Sequence, residues 1–118
     1  MEQELIKSGL TSFMSQDYKT ALDQFTKSLE KNTDNLNAYV YRGCTNIHLG
    51  DYSSAIVDFN LAEKFNDNSF EVLYNRSKAY FYNQDFKNAQ TDLLKAKELA
   101  GLTDEQVEKI NILSERFS

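Results

Sequence analysis

Residues of the same kind recur in this chain every 34 positions, three times over, and that period restricts the fold more than any single residue does. Gly9, Gly43 and Ser77 share one register, Asp17, Asp51 and Asp85 a second, and Tyr18, Tyr52 and Phe86 a third. Ala21, Ala55 and Ala89 form a fourth, followed four residues later by Phe25, Phe59 and Leu93, and then by Ser28, Ala62 and Ala96. Columns in phase mark a stack of like units, each touching only its neighbours. A period of this length fits one helical hairpin per unit, and such stacks are usually built to hold another protein.

Within each unit the apolar residues follow helical spacing. Leu5, Ile6, Gly9, Leu10 and Phe13 repeat at intervals of three and four, which predicts an amphipathic helix over Glu2 to Ser15. By the same reading a second helix runs from Tyr18 to Glu30, and further pairs cover Leu36 to Leu49 with Tyr52 to Phe65, and Phe70 to Asn83 with Phe86 to Ala100. Asp17, Asp51 and Asp85 stand where a carboxylate can accept the orphan N–H groups of the helix that follows. Gly50 and Gly101 stand where helices should end, as residues tolerant of positive φ.

After Gly101, Thr103 with Gln106 three residues on fits a capping box and predicts a seventh helix to about Phe117. This helix is expected to break the period and to lay Val107, Ile110, Leu113 and Phe117 over the third hairpin as a lid. The N-terminal end shows no equivalent. Proline is absent, which favours uninterrupted helices.

Bulk properties narrow the function. The formal charge of −5 disfavours nucleic acid and anionic lipid, and no Lys/Arg cluster reverses it locally. No stretch approaches the roughly 20 apolar residues that span a bilayer, so membrane insertion is not expected. No basic segment followed by an apolar run marks a signal peptide, and the chain reads as soluble, intracellular and cytoplasmic. Apolar residues at 41% indicate a globular chain, and a single cysteine excludes an internal disulfide.

The columns resemble the tetratricopeptide repeat, and the resemblance spans residues 2 to 103. The large residue, glycine, alanine and phenylalanine of that motif are met by Tyr39, Gly43, Ala55 and Phe59 in the second unit. The first unit offers Leu5, Gly9, Ala21 and Phe25, and the third Leu73, Ser77, Ala89 and Leu93. The proline that commonly ends each repeat is replaced by Thr33, Asp67 and Gly101. The small residues have a mechanical reason: two helices approach closely only where both carry short side chains, so Gly9 is expected against Ala21. The resemblance implies an all-α fold, a right-handed α-solenoid of three antiparallel hairpins plus a C-terminal capping helix, seven helices in all. The repeats would span 2–35, 36–69 and 70–103, and the cap 104–118.

In this family the first helix of each repeat lines a concave surface. The stripe about 100° from the core face holds Gln3, Ile6, Leu10, Phe13 and Met14 in the first unit. The second unit adds Asn37, Val40, Tyr41, Cys44, Ile47 and His48, and the third Glu71, Tyr74, Asn75, Lys78, Phe81 and Tyr82. Phe13, Ile47 and Phe81 share a register and read as partly core. Tyr41, Tyr74 and Tyr82 do not, so repeat packing does not demand them, and tyrosine supplies stiff contact area with a hydroxyl handle. The expected binding set is Ile6, Leu10, Phe13, Val40, Tyr41, Cys44, His48, Tyr74, Lys78 and Tyr82. It suits a protein or peptide ligand with apolar anchors, held with an affinity on the order of micromolar.

The best-known tetratricopeptide ligand is the acidic C-terminal tail of heat-shock chaperones, clamped through its terminal carboxylate. The family's clamp would need lysine at position 6, asparagine at 10 and 41, and basic residues at 71 and 75. This chain carries Ile6, Leu10, Tyr41, Glu71 and Asn75, with only Arg76 and Lys78 nearby, which argues against that ligand except through an altered clamp. A third reading is weak self-association, with helix one of one copy, around Leu5 and Leu22, packing on another, or a chain that is part of a longer array.

No enzymatic reading competes. Cys44 lies one helical turn before His48, but no orienting carboxylate or oxyanion donor accompanies the pair. Two soft ligands are too few for structural zinc, and the glycines form no phosphate-binding loop, so neither metal nor cofactor is expected.

Overall fold

The computed structural model describes residues 2–65 and 68–117. Among the described residues all regular structure is helical: α1 (Glu2–Met14), α2 (Tyr18–Lys31), α3 (Leu36–His48), α4 (Tyr52–Lys64), α5 (Phe70–Tyr82), α6 (Phe86–Lys97) and α7 (Asp104–Glu115). The elements pair as α1 with α2, α3 with α4 and α5 with α6, and each pair packs on the next through α2 with α3 and α4 with α5. The fold is an all-α solenoid of three hairpins, closed at its C-terminal end by α7. Most helix ends differ from expectation by a residue. α6 stops three residues early, where the backbone tightens and the Leu99 N–H donates to the Ala96 carbonyl three residues back at 3.2 Å.

Capping fixes where the helices begin. The backbone N–H groups of Thr20, Ser54 and Asn88 donate to Asp17, Asp51 and Asp85 at 3.3, 3.2 and 3.3 Å, so one register of aspartates starts every second helix. Asn35, Ser69 and Thr103 do the same for α3, α5 and α7, and these three caps are themselves 34 residues apart. Thr103 and Gln106 form the expected capping box. The seventh helix therefore does not break the period: Asp104 stands 34 positions after Phe70, and α7 occupies the place of a fourth first helix.

The turns inside the hairpins carry a second periodic feature, absent from the sequence reading. Gln16, Gly50 and Gln84 share a register, and all three have positive φ, 64°, 79° and 66°. Only the middle one is glycine. Of the three positions where the usual proline is missing, Asp67 lies outside the described residues.

The repeated small and large residues make the core. Ala21, Ala55 and Ala89 are fully buried, as are Phe25 and Phe59, with Leu93 nearly so. The expected contact of Gly9 with Ala21 is not the one that explains the glycine. A Cβ on Gly9 would lie 2.6 Å from Cε1 of Phe25, and one on Gly43 would lie 2.7 Å from Cζ of Phe59, so each glycine makes room for a ring four residues beyond the alanine. In the third hairpin Ser77 replaces glycine and Leu93 replaces phenylalanine, and the Ser77 hydroxyl donates to the Ala89 carbonyl at 2.7 Å.

The two ends are finished differently. At the C-terminal end Ile110 and Leu113 are buried against Phe70, Leu73, Leu93 and Ala96, with Phe117 packed at the margin. Val107, expected in the lid, is 41% exposed and takes no part in it. At the N-terminal end, registers that hold Ala38 and Val72, Arg42 and Arg76, and Thr45 and Ala79 in later units hold Glu4, Ser8 and Thr11 in α1. All three are exposed, so α1 presents a polar outer face to water.

Candidate functional site

α1, α3, α5 and α7 lie side by side, since α1 touches α3, α3 touches α5 and α5 touches α7. The stripe predicted from the sequence runs across this surface. Ile6, Leu10, Phe13, Val40, Tyr41, Cys44, Tyr74 and Lys78 are half-buried, while His48 and Tyr82 are exposed. Met14, at the end of α1, is 82% exposed.

Ring contacts hold much of the stripe in place. His48 stacks on Tyr18 with centroids 4.5 Å apart and planes 8° from parallel, and Phe13 meets both rings edge-on. One period on, Tyr82 stacks on Tyr52 at 5.4 Å. The column Tyr18 and Tyr52 thus links each hairpin to the first helix of the next. Tyr41 leans on Phe25 at 5.6 Å, and Tyr74 stacks on Phe70 at 5.1 Å. All three tyrosines that do not share a register, Tyr41, Tyr74 and Tyr82, are therefore engaged by neighbouring rings as well as lying on the stripe.

Cys44 and His48 do not make a nucleophile and base. Burial pushes the Cys44 thiol up to about 11, with Lys78 opposing and Glu71 adding to the rise, so the thiol stays protonated. The side chain packs against the core cluster that includes Tyr39, Phe59 and Val72. His48 is committed to Tyr18, and burial, followed by the charge of Lys78, lowers its pKa. Among the described residues no group of three or more His, Cys, Asp or Glu is placed to hold a metal.

The cations near the clamp positions differ in role. Arg76 turns away from the stripe and is buried, donating to Asp92 at 2.7 and 2.9 Å, to Asn60 at 3.0 Å and to Glu63 at 2.9 Å. Burial alone would lower its pKa, but the hydrogen bonds to Asp92 and Glu63 more than offset this and hold it above the ordinary value. Arg42 forms the equivalent pair with Asp58, 34 residues earlier. Both pairs tie the two helices of a hairpin together and were not anticipated, although the shared spacing of 16 residues within a repeated frame is visible in the sequence. Asn75 is occupied locally, donating to the Glu71 carbonyl at 2.8 Å. Of the nearby cations only Lys78 faces the stripe, its Nζ 5.4 Å from the Tyr74 ring centre.

α7 adds residues that sequence reading missed. Ile112 continues the register of Leu10, Cys44 and Lys78, and Arg116 that of Met14, His48 and Tyr82. With Tyr74, Lys78, Tyr82 and Leu113 they line a concavity of about 210 Å³ between α5 and α7. Counting 34 positions onward into α7 would have found them.

Residues 70–101 match the family model described as tetratricopeptide repeat. The chain is a tetratricopeptide-repeat protein. The bovine "Protein SGT1 homolog" is 29% identical over 85 residues, which are 72% of this chain and 25% of that protein. The mouse "Tetratricopeptide repeat protein 12" is 30% identical over 95 residues, 80% of this chain and 14% of that one. The chain thus spans a quarter or less of the length of these curated relatives. Among solved structures, the first TPR of Spaghetti (RPAP3) bound to the HSP90 peptide SRMEEVD superposes with a TM-score of 0.86 at 23% identity, covering 98% of this chain and 92% of that one. That likeness shows the fold; the tetratricopeptide side chains at the five clamp positions remain Ile6, Leu10, Tyr41, Glu71 and Asn75.

Proposed function

We propose that this tetratricopeptide-repeat protein is a protein-interaction scaffold that binds a peptide segment of a partner in the groove lined by α1, α3 and α5. The observation that carries the reading is the half-buried apolar run Ile6, Leu10, Val40 and Cys44. It crosses two repeats along the stripe, with Val40 and Cys44 resting on the core and still partly open to solvent, and the same stripe carries His48 and Tyr41, whose rings are held against Tyr18 and Phe25. Rings and side chains held in place lose little freedom when a ligand covers them, which favours binding. The repeats are proposed to span 2–35, 36–69 and 70–103, with 104–118 as the cap, and the proposed setting is the cytoplasm.

The test is affinity capture with wild-type protein and with Leu10→Lys, whose charge would stand in the middle of the run. Loss of the captured partner with an unchanged helical circular-dichroism spectrum supports the groove; equal capture removes it.

A second reading, a chaperone adaptor that grips heat-shock tails through an altered clamp, is favoured by the likeness to a domain bound to an HSP90 peptide. Against it stand Ile6 and Leu10, which offer no hydrogen bonds to a terminal carboxylate, and Glu71, which would repel one. Titration with the peptide SRMEEVD and with its C-terminal amide decides, because a carboxylate clamp must discriminate between the two.

Self-association through α1 would require burying Glu4, Ser8 and Thr11, which stand where later repeats carry buried or half-buried residues. Removing such groups from water without partners is costly, so the polar outer face argues against that mode.

A further inference from the structure

We propose that α7 is part of the binding surface, and that Lys78 and Arg116 together receive an acidic side chain of the bound peptide at the C-terminal end of the groove. The inference rests on the groove reading above and adds the chemistry of one ligand position.

The other half-buried and buried arginines of the chain are paired: Arg42 with Asp58, and Arg76 with Asp92 and Glu63. Lys78 and Arg116 are not in any ion pair among the described residues. Both are nevertheless held in position, and by neutral groups. Lys78 lies over the Tyr74 ring, while Arg116 donates to the Tyr82 hydroxyl at 3.2 Å and sits 6.0 Å from the Phe81 ring centre.

Burial raises the Tyr74 phenol, with Tyr82 adding to the rise and Arg116 opposing it, so these head groups lie within electrostatic reach of one another. The concavity they surround is lined by no carboxylate. In a chain of net charge −5, two positioned and uncompensated cations at one end of an apolar groove are a complementary seat for an anion.

The anion is a side-chain carboxylate rather than a chain terminus. None of the positions at which the family holds a terminal carboxylate carries a basic residue here: they are Ile6, Leu10, Tyr41, Glu71 and Asn75. Tyr82 and Arg116 are exposed, so a peptide can run on past them into solvent. The apolar run Leu10, Val40 and Cys44 adjoins Lys78, so the matching segment carries apolar residues followed by aspartate or glutamate.

The test uses random peptides displayed internally in a carrier protein, so that they have no free C-terminus, selected on the whole 118-residue chain. Wild-type protein is expected to enrich apolar residues beside an acidic one. The Lys78→Gln, Arg116→Gln double variant, whose circular-dichroism spectrum must match wild type, should keep the apolar enrichment and lose the acidic one. A selected peptide should bind the double variant about tenfold more weakly, and its Glu→Gln counterpart should show no further difference between the two proteins.

Apolar enrichment without acidic enrichment would overturn this inference and leave the groove reading standing. Enriched peptides that bind Leu10→Lys as well as wild type would overturn both. Tyr82→Phe supplies a milder check, since it keeps the ring and removes the hydroxyl that positions Arg116; unchanged affinity for the acidic peptide would count against the seat.

Discussion

The Phe59 ring occupies the space that a Cβ on Gly43 would need, with a calculated separation of 2.7 Å from Cζ. Phe59 is fully buried on α4, and protein interiors are close-packed, so the glycine is a steric requirement rather than a helix weakness. Gly43→Ala gains helix propensity of roughly 1 kcal/mol. Forcing the ring aside costs about 1–3 kcal/mol or more, and the net effect is destabilising.

The third hairpin supplies the control, because it pairs Ser77 with Leu93 at the same two registers. Gly43→Ala with Phe59→Leu should recover stability relative to the sum of the two single changes, by about 1 kcal/mol in a urea-denaturation double-mutant cycle. Additive single changes would mean that the two sites do not clash.

A second prediction uses opposite substitutions at one register. Gln16 and Gln84 have φ of 64° and 66°, in the left-handed region that costs an ordinary residue about 1 kcal/mol or more. Gly50, at 79°, has open space around its Cβ position, so only conformation is at stake there. Gln84→Gly should stabilise by up to about 1 kcal/mol, after allowing for the greater freedom of glycine in the unfolded chain. Gly50→Ala should destabilise by a similar amount. Thermal melts of the two variants should shift in opposite directions.

These turns show what the sequence can and cannot reveal. The columns Asp17, Ala21 and Phe25 were legible because a cap, a small contact and a large core residue each demand a narrow class of side chain, and the class repeats. The turn conformation at 16, 50 and 84 was half legible, since glycine announces it and glutamine does not. The role of Arg76 was not legible because its side chain is long: the backbone position lies near the stripe, but the guanidinium reaches Asp92, Asn60 and Glu63. The groove's last part was missed for another reason. α7 keeps the spacing of a first helix without the residue classes of one, so a search by residue class stops at residue 103.

Arg76 provides a third prediction. Removing one partner of a buried ion pair leaves the other charged and unsolvated, at a cost of about 3–5 kcal/mol. Arg76→Met would strand Asp92, which is 4% exposed, while Glu63 reaches solvent and tolerates the loss. The double change Arg76→Met with Asp92→Leu removes both charges and should restore most of the stability. Chemical denaturation in which the double variant is as unstable as Arg76→Met would mean that specific hydrogen bonds, rather than the stranded charge, dominate.

The stack of His48 on Tyr18 predicts a pH dependence. Burial and the nearby Lys78 charge lower the His48 pKa from its ordinary 6.5, so the folded state favours neutral imidazole. Between the two pKa values the unfolded chain binds more protons than the folded one. The His48 contribution is therefore present above pH 6.5 and is lost as pH falls through the lowered folded value. The melting temperature of wild type should decline over this window more steeply than that of His48→Phe, which keeps a ring on Tyr18 and removes the titration. Lys78→Gln should reduce the slope without abolishing it, since desolvation remains. Parallel curves for wild type and His48→Phe would rule out this assignment.

Ser28 is the one register member whose chemistry does not suit its place. The column continues as Ala62 and Ala96, and all three positions are fully buried. Among the described residues the Ser28 hydroxyl has no hydrogen-bond partner, in contrast to Ser77, whose hydroxyl reaches the Ala89 carbonyl. A buried hydroxyl left unpaired costs about 1–3 kcal/mol of desolvation, and serine is also a weaker helix former than alanine. Ser28→Ala should therefore stabilise the protein by about 1 kcal/mol, raising the urea midpoint without changing the slope of the transition. Ser77→Ala should do the reverse, because it leaves a cavity and removes a bond that is made. If Ser28→Ala lowered the midpoint, the hydroxyl would have to be satisfied in solution, and a bound water bridging it to the α2 backbone would be the group to look for.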